Sequence, residues 1–213
     1  MVKYDLGAFV KPLCSWYEKN KRSMPWREQK GAYEVWISEI MLQQTRIEAV
    51  KGYYDRFLKR LPAVKDLAEI PQEELMKLWE GLGYYNRARN LQKAAQKVQD
   101  EYDGVLPADY EKLLKLKGIG HYTAGAVASI AYGIPVPAVD GNVLRVLTRV
   151  SADDTDIMKQ SFRSEMEALL EELMHGTGDS NEKNIFPWME DAVDLRAQVY
   201  HGNLAGAFNQ ALM

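Results

Sequence analysis

Apolar residues along this chain recur at the three- and four-residue spacing of a helix, not at the alternation of a strand. Trp36, Ile37, Ile40 and Met41 form one such group, and Leu91, Ala94, Ala95 and Val98 a second. Leu113, Leu114 and Leu116 make a third, and Ala124, Val127, Ala128 and Ala131 a fourth. Helix breakers fall between the groups, at Leu61-Pro62, Ile70-Pro71, Gly81 to Gly83, Gly104 to Pro107, Gly118 to Gly120 and Gly133 to Pro137. The pattern predicts an all-α chain of short helices. The run HGTGDSNEKN at 175–184 reads as a surface excursion.

Composition narrows this picture. With 213 residues the chain can bury a sizeable core as one domain or two small ones. No window approaches eighteen unbroken apolar residues, and MVKYDLGAFVKPL carries charges where a signal peptide needs an apolar core, so a soluble cytoplasmic protein is expected. One cysteine, Cys14, excludes an internal disulfide and a cysteine-only metal site, and His121, His175 and His201 lack ligand spacing. No metal bound by side chains is expected.

The formal charge of −3 hides a division along the chain. Residues 1–150 hold 23 of the 27 Lys and Arg against 18 of the 30 acids, a net of +5, whereas residues 151–200 carry −8. The first part suits phosphates and the second faces water.

Three segments carry candidate chemistry. In LKGIGHYTAGAV at 116–127, a helix end, a Gly-Ile-Gly hairpin and a new helix near His121 expose backbone N–H groups at a positive helix N-terminus, which suits a phosphate. Gly118 and Gly120 let the backbone approach a ligand, and Ile119 anchors the hairpin; a plain helix-helix corner is the alternative. In VDGNVLRVLTRV at 139–150, Asp140 sits at a loop-to-helix junction, where an N-cap accounts for it equally. Arg145 and Arg149 form a small basic face on the following helix, suited to a phosphate backbone or simply to solvent. In WISEIMLQQT at 36–45, Ile37, Ile40 and Met41 define the core stripe, with Trp36, Glu39 and Gln43 together on another face. Glu39, amid Trp36, Ile40 and Leu42, is a candidate for desolvation, which raises a carboxyl's pKa and suits an acid; alone it also reads as a solvated helix residue.

Together with WEGLGYYNRARNL at 79–91, these segments follow one another in an order that resembles the adenine DNA glycosylases of the MutY type, within the helix-hairpin-helix base-excision superfamily. The likeness covers roughly residues 15–150 and resumes at GAFNQALM, residues 206–213. It implies an all-α fold of two helical subdomains flanking a DNA-binding cleft. One is a six-helix barrel-like subdomain over 26–136 with the helix-hairpin-helix at 108–131; the other joins 1–25 to 137–213, incomplete and with an insertion at about 175–203.

The resemblance also implies roles. Glu39 takes the place of the glutamate that protonates adenine at N7, and Asp140 that of the aspartate that stabilises the sugar oxocarbenium ion; the chemistry is like glycoside cleavage. Tyr122 and Asn142 fall where the family keeps polar groups orienting these carboxyls and the water. Trp26, Arg27 and Leu42 match positions lining the pocket for the extruded adenine, and Gln210 one that hydrogen-bonds the base. Gln44 and Tyr84 match residues that insert into the duplex, although Tyr84 equally fits a core position. Beside these roles stands the residues' own reading of Gly118, Gly120 and Arg145 as contacts to the phosphate backbone. Strand-cutting relatives of the endonuclease III type place a lysine where this chain has Tyr122, so a monofunctional glycosylase is implied.

The implied partner is double-stranded DNA with adenine opposite 8-oxoguanine or guanine, met by a monomer in a bacterial, nucleoid-associated setting without membrane. The family continues past FNQALM into a loop whose four cysteines bind a [4Fe-4S] cluster, and then into a lesion-reading domain. No cofactor is expected in this chain, and the cluster only in a longer one. Three features depart from the family: the missing cluster ligands, the missing lesion reader, and the run 175–203, whose Phe186, Trp188 and Met189 read either as a patch packed over the exposed core or as a partner-binding surface. The end, with no closing glycine, proline or cation, reads as cut inside a helix and prone to fray, with Gln210 poorly held. The alternatives are an endonuclease III-like glycosylase acting on another base, and a non-catalytic helix-hairpin-helix DNA-binding remnant.

Overall fold

The structure, a computed structural model, describes residues 6–28, 31–175 and 203–213. Phe186, Trp188 and Met189 lie outside these residues. Among the described residues there are twelve helices and no strand. They are α1 Leu6–Asn20, α2 Pro25–Glu28, α3 Ala32–Leu42, α4 Ile47–Arg60, α5 Val64–Glu69 and α6 Gln72–Trp79. Then come α7 Asn86–Tyr102, α8 Tyr110–Leu114, α9 His121–Tyr132, α10 Gly141–Val150, α11 Gln160–His175 and α12 Leu204–Leu212. No described helix is long and apolar enough to cross a membrane.

The chain divides into two compact units, one of residues 23–127 and one of residues 1–22 with 128–213. In the first, α2 and α4 pack on α3, α6 on α4 and α7, and α5 along α7. Trp36, Tyr54, Phe57 and Trp79 are its largest fully buried side chains, Phe57 and Trp79 meeting edge-on with ring centroids 6.0 Å apart. The groups read from the sequence become buried faces here, with Leu91, Ala94, Ala95 and Val98 along α7 and Leu113 with Leu116 under the hairpin.

In the second unit α12 packs against α1 and α10. The core joins Val10, Cys14 and Tyr17 of α1 to Val143, Leu144 and Leu147 of α10, to Phe162, Met166 and Leu170 of α11, and to Phe208 and Leu212 of α12. Gly206 makes this packing close, since a Cβ there would fall 2.8 Å from Ile130 Cα and from the Ser129 carbonyl. The end of the last helix, where the sequence leads one to expect fraying, packs into this contact set. Leu212 is buried, and Met213 N–H donates to the Asn209 carbonyl at 3.1 Å.

Candidate active site

A helix with an apolar stripe normally keeps one face for water. In α3, however, every residue from Tyr33 to Met41 except Glu34 is buried. Two corrections follow. Glu39 is not a solvated helix residue, being only 7% exposed, and Gln43 does not share its face, because the helix stops at Leu42 and Gln43 is already non-helical. A buried carboxyl is costly without hydrogen bonds. The Tyr122 hydroxyl donates one to Glu39 Oε2 at 2.8 Å, from the second residue of α9.

That position on α9 is set by the hairpin before it. Asp109 caps α8 through the Lys112 N–H at 2.9 Å, the chain turns through Gly118 at φ +82°, and Ile119 inserts into the core. Gly118 has two reasons to be glycine: its φ, and Asn90 Cβ only 2.8 Å from where a Cβ would stand. Gly120 has neither, and a Cβ there would meet nothing within 4 Å. An exposed, unobstructed backbone at the mouth of α9 is the geometry that accepts an anion. Tyr110 and His121, the first residues of the two hairpin helices, are joined by a 2.8 Å hydrogen bond between Tyr110 Oη and His121 Nδ1.

In the other unit Asp140 is the N-cap of α10. Its Oδ1 accepts from the Asn142 and Val143 N–H groups, both at 2.8 Å, and its Oδ2 from Asn142 Nδ2 at 2.9 Å. Capping and a chemical role are compatible: three donors fix the carboxylate while it stays half-exposed. Asn142 Oδ1 in turn accepts from Arg145, which is exposed like Arg149.

The remaining predicted residues are placed as follows. Trp26 is buried edge-on against Tyr54 at 5.5 Å, with Arg27 and Leu42 half-buried. Tyr84 is not a core residue, being 64% exposed, and Gln44 is exposed too; both hold positive φ, 46° and 56°. Gln210 Oε1 accepts from the Tyr17 hydroxyl at 3.0 Å, which holds its amide in place.

Beside it stands a residue that pattern reading missed. Asn209, fully buried, donates from Nδ2 to Ser129 Oγ at 2.8 Å and to the Val136 carbonyl at 2.9 Å, and accepts from the Ala138 N–H at 3.1 Å. It thereby clamps the irregular segment that delivers Asp140. A buried-side asparagine next to Gln210 in an otherwise apolar helix was the available signal.

A profile described as HhH-GPD superfamily base excision DNA repair protein matches residues 37–174, the span that holds the hairpin, Glu39 and Asp140. The chain belongs to the HhH-GPD superfamily. Among curated relatives, the adenine DNA glycosylase of Rattus norvegicus is 47% identical over 161 residues, covering 71% of this chain and 31% of the relative. The adenine DNA glycosylase of Buchnera aphidicola from Acyrthosiphon pisum is 36% identical over 185 residues, covering 85% of this chain and 52% of the relative. This member of the superfamily thus spans about a third to a half of the length of those two relatives. Among solved structures, a thermostable thymine-DNA glycosylase superposes with a TM-score of 0.70 at 28% identity, covering 90% of this chain and 85% of its own. The residues present do not fit a four-cysteine cluster, because the single cysteine, Cys14, is buried in the core of its unit.

Proposed function

We propose that this chain is the catalytic part of a monofunctional adenine DNA glycosylase, hydrolysing the N-glycosidic bond of adenine mispaired with 8-oxoguanine or guanine in duplex DNA. The observation that carries the proposal is the buried Glu39 carboxyl held by the Tyr122 hydroxyl at 2.8 Å, which ties a proton-delivering group to the helix that follows the phosphate-binding hairpin. The names of the curated relatives support adenine as the base.

In this reading Glu39 protonates adenine at N7, which turns the base into a neutral leaving group. Asp140, held by Asn142, supplies the negative charge that stabilises the oxocarbenium ion of the sugar, and water completes the hydrolysis. Trp26, Arg27 and Leu42 line the base pocket and Gln210 hydrogen-bonds the base. Gln44 and Tyr84 fill the space the base leaves, offsetting a flipping cost of a few kcal/mol. Gly118, Gly120 and Arg145 hold phosphates. Tyr122 offers no amine, so no Schiff base forms there and the strand is left uncut.

The test is single-turnover release of adenine from duplexes with adenine opposite 8-oxoguanine or guanine. Wild type is expected to release the base, Glu39→Gln and Asp140→Asn are not, and borohydride is expected to trap no stoichiometric adduct. Equal traces from all three proteins would leave a DNA-binding module without catalysis.

A further inference from the structure

Arg87 occupies the second position of α7, where a cation faces the positive end of the helix dipole. Its guanidinium leaves that end and reaches the opposite kind of site. Nη1 donates to the carbonyls of Ile40 at 2.8 Å, Met41 at 3.2 Å and Gln43 at 2.6 Å, at the C-terminal end of α3. Those carbonyls lack intrahelical partners because the chain leaves the helix there. Nη2 donates to the carbonyls of Leu82 at 3.0 Å and Gly83 at 3.3 Å, and to Thr45 Oγ1 at 3.4 Å. Every one of these acceptors is a carbonyl or a hydroxyl, and burial lowers the Arg87 pKa from its ordinary value.

The two groups of acceptors flank two unusual turns. Gln44 lies between Gln43 and Thr45, and Tyr84 directly follows Gly83. They are two of the four non-glycine residues with positive φ among the described residues, a conformation most side chains avoid. The Tyr84 ring centroid lies 5.5 Å from the guanidinium carbon, as does that of the buried Trp79, so the cation meets two aromatic rings as well as its hydrogen-bond acceptors. Only a planar fork with several N–H donors can serve acceptors on both turns at once; a lysine ammonium offers three donors from one point.

We infer that Arg87 is a positioning residue that locks the Gln44 turn to the Tyr84 turn, so that the two side chains enter a duplex as one preassembled wedge. The inference rests on the reading that Gln44 and Tyr84 insert into DNA. It makes Arg87 a determinant of base extrusion that never touches the base.

Two measurements on the whole chain test it, both with a duplex whose target is not cleaved. Affinity is measured for Gln44→Ala, Tyr84→Ala and the double variant on a 2′-fluoro-deoxyadenosine·guanine duplex, in the wild-type and Arg87→Lys backgrounds. Extrusion is followed by the fluorescence of 2-aminopurine carried on a 2′-fluoro sugar at the target position. In the wild-type background the double variant is expected to lose no more than about twice what the worse single loses; with Arg87→Lys the two penalties are expected to multiply. Arg87→Lys alone is expected to lower the 2-aminopurine signal several-fold while melting within a few degrees of wild type. Multiplying penalties in the wild-type background would overturn the inference, and that cycle needs no Arg87 variant to fold. A coupling and a fluorescence signal that both survive Arg87→Lys would overturn it too, leaving a purely structural arginine. A wild type insensitive to both alanine substitutions would sink the insertion reading and this inference together, whereas loss of catalysis with the wedge intact would sink only the assignment of Glu39 and Asp140.

Discussion

Asn209→Ala should weaken the fold and the reaction together. The side chain is fully buried and makes three hydrogen bonds, of 2.8, 2.9 and 3.1 Å, two of them to the backbone of Val136 and Ala138. Truncation strands the Ala138 N–H in the interior and the half-buried Val136 carbonyl, at roughly 1–3 kcal/mol for each unsatisfied group. Partial relaxation brings the expected loss to about 3 kcal/mol, tolerable within a stability of roughly 5–15 kcal/mol. Asp140 lies two residues beyond Ala138, so the same change loosens the lead into its cap, and single-turnover adenine release should slow about tenfold, which corresponds to roughly 1.4 kcal/mol of barrier. Urea unfolding followed by circular dichroism measures the first quantity and base release the second. Asn209→Asp keeps an acceptor for the Ala138 N–H but buries a carboxylate against the Val136 carbonyl, and should destabilise at least as much as alanine. A stability change within about 0.5 kcal/mol, the range typical of surface substitutions, with an unchanged rate would refute the clamp.

Other expectations separate structure from contact. Gly118→Ala should destabilise the hairpin, by about 1–2 kcal/mol for the positive φ alone and more for the approach to Asn90, visible as a lower melting temperature. Gly120→Val, whose Cβ enters open space, should melt like wild type yet bind matched and mismatched duplexes about equally worse, since backbone contacts carry no sequence information; a loss confined to one mismatch would contradict a phosphate role. Tyr122→Phe removes the hydroxyl from Glu39 and should slow base release by about tenfold or more with duplex affinity retained, because a buried acceptor losing a partner costs roughly 1–3 kcal/mol; reduced affinity at full rate would contradict it.

Much of this architecture was visible in the order of residues, for definable reasons. Helical period and Gly or Pro punctuation are local signals, and they located α3, α7, α8 and α9. The hairpin was legible through Gly118, whose positive φ is a glycine property. Burial of Glu39 was half legible: its apolar neighbours offered desolvation and the helical pattern a solvated face, and the choice depends on α2 and α4 closing around α3. Arg87 stood inside a segment noted for its glycines, but its acceptors at Ile40 and Met41 lie 47 and 46 residues away, beyond any periodicity. Asn209 was overlooked for the same cause, its partners lying 71 to 80 residues distant. The left-handed turns at Gln44 and Tyr84 use residues that propensity would not place there, and tertiary hydrogen bonds around Arg87 sustain them.

The central claim is that Glu39 drives base loss by protonating adenine at N7, and a substrate lacking that nitrogen tests it most directly. A duplex with 7-deazaadenine opposite guanine presents a C–H where the proton must land. Single-turnover incubation should show this duplex bound as tightly as its adenine counterpart but with no base released. Release at a rate comparable to that of adenine would contradict the account.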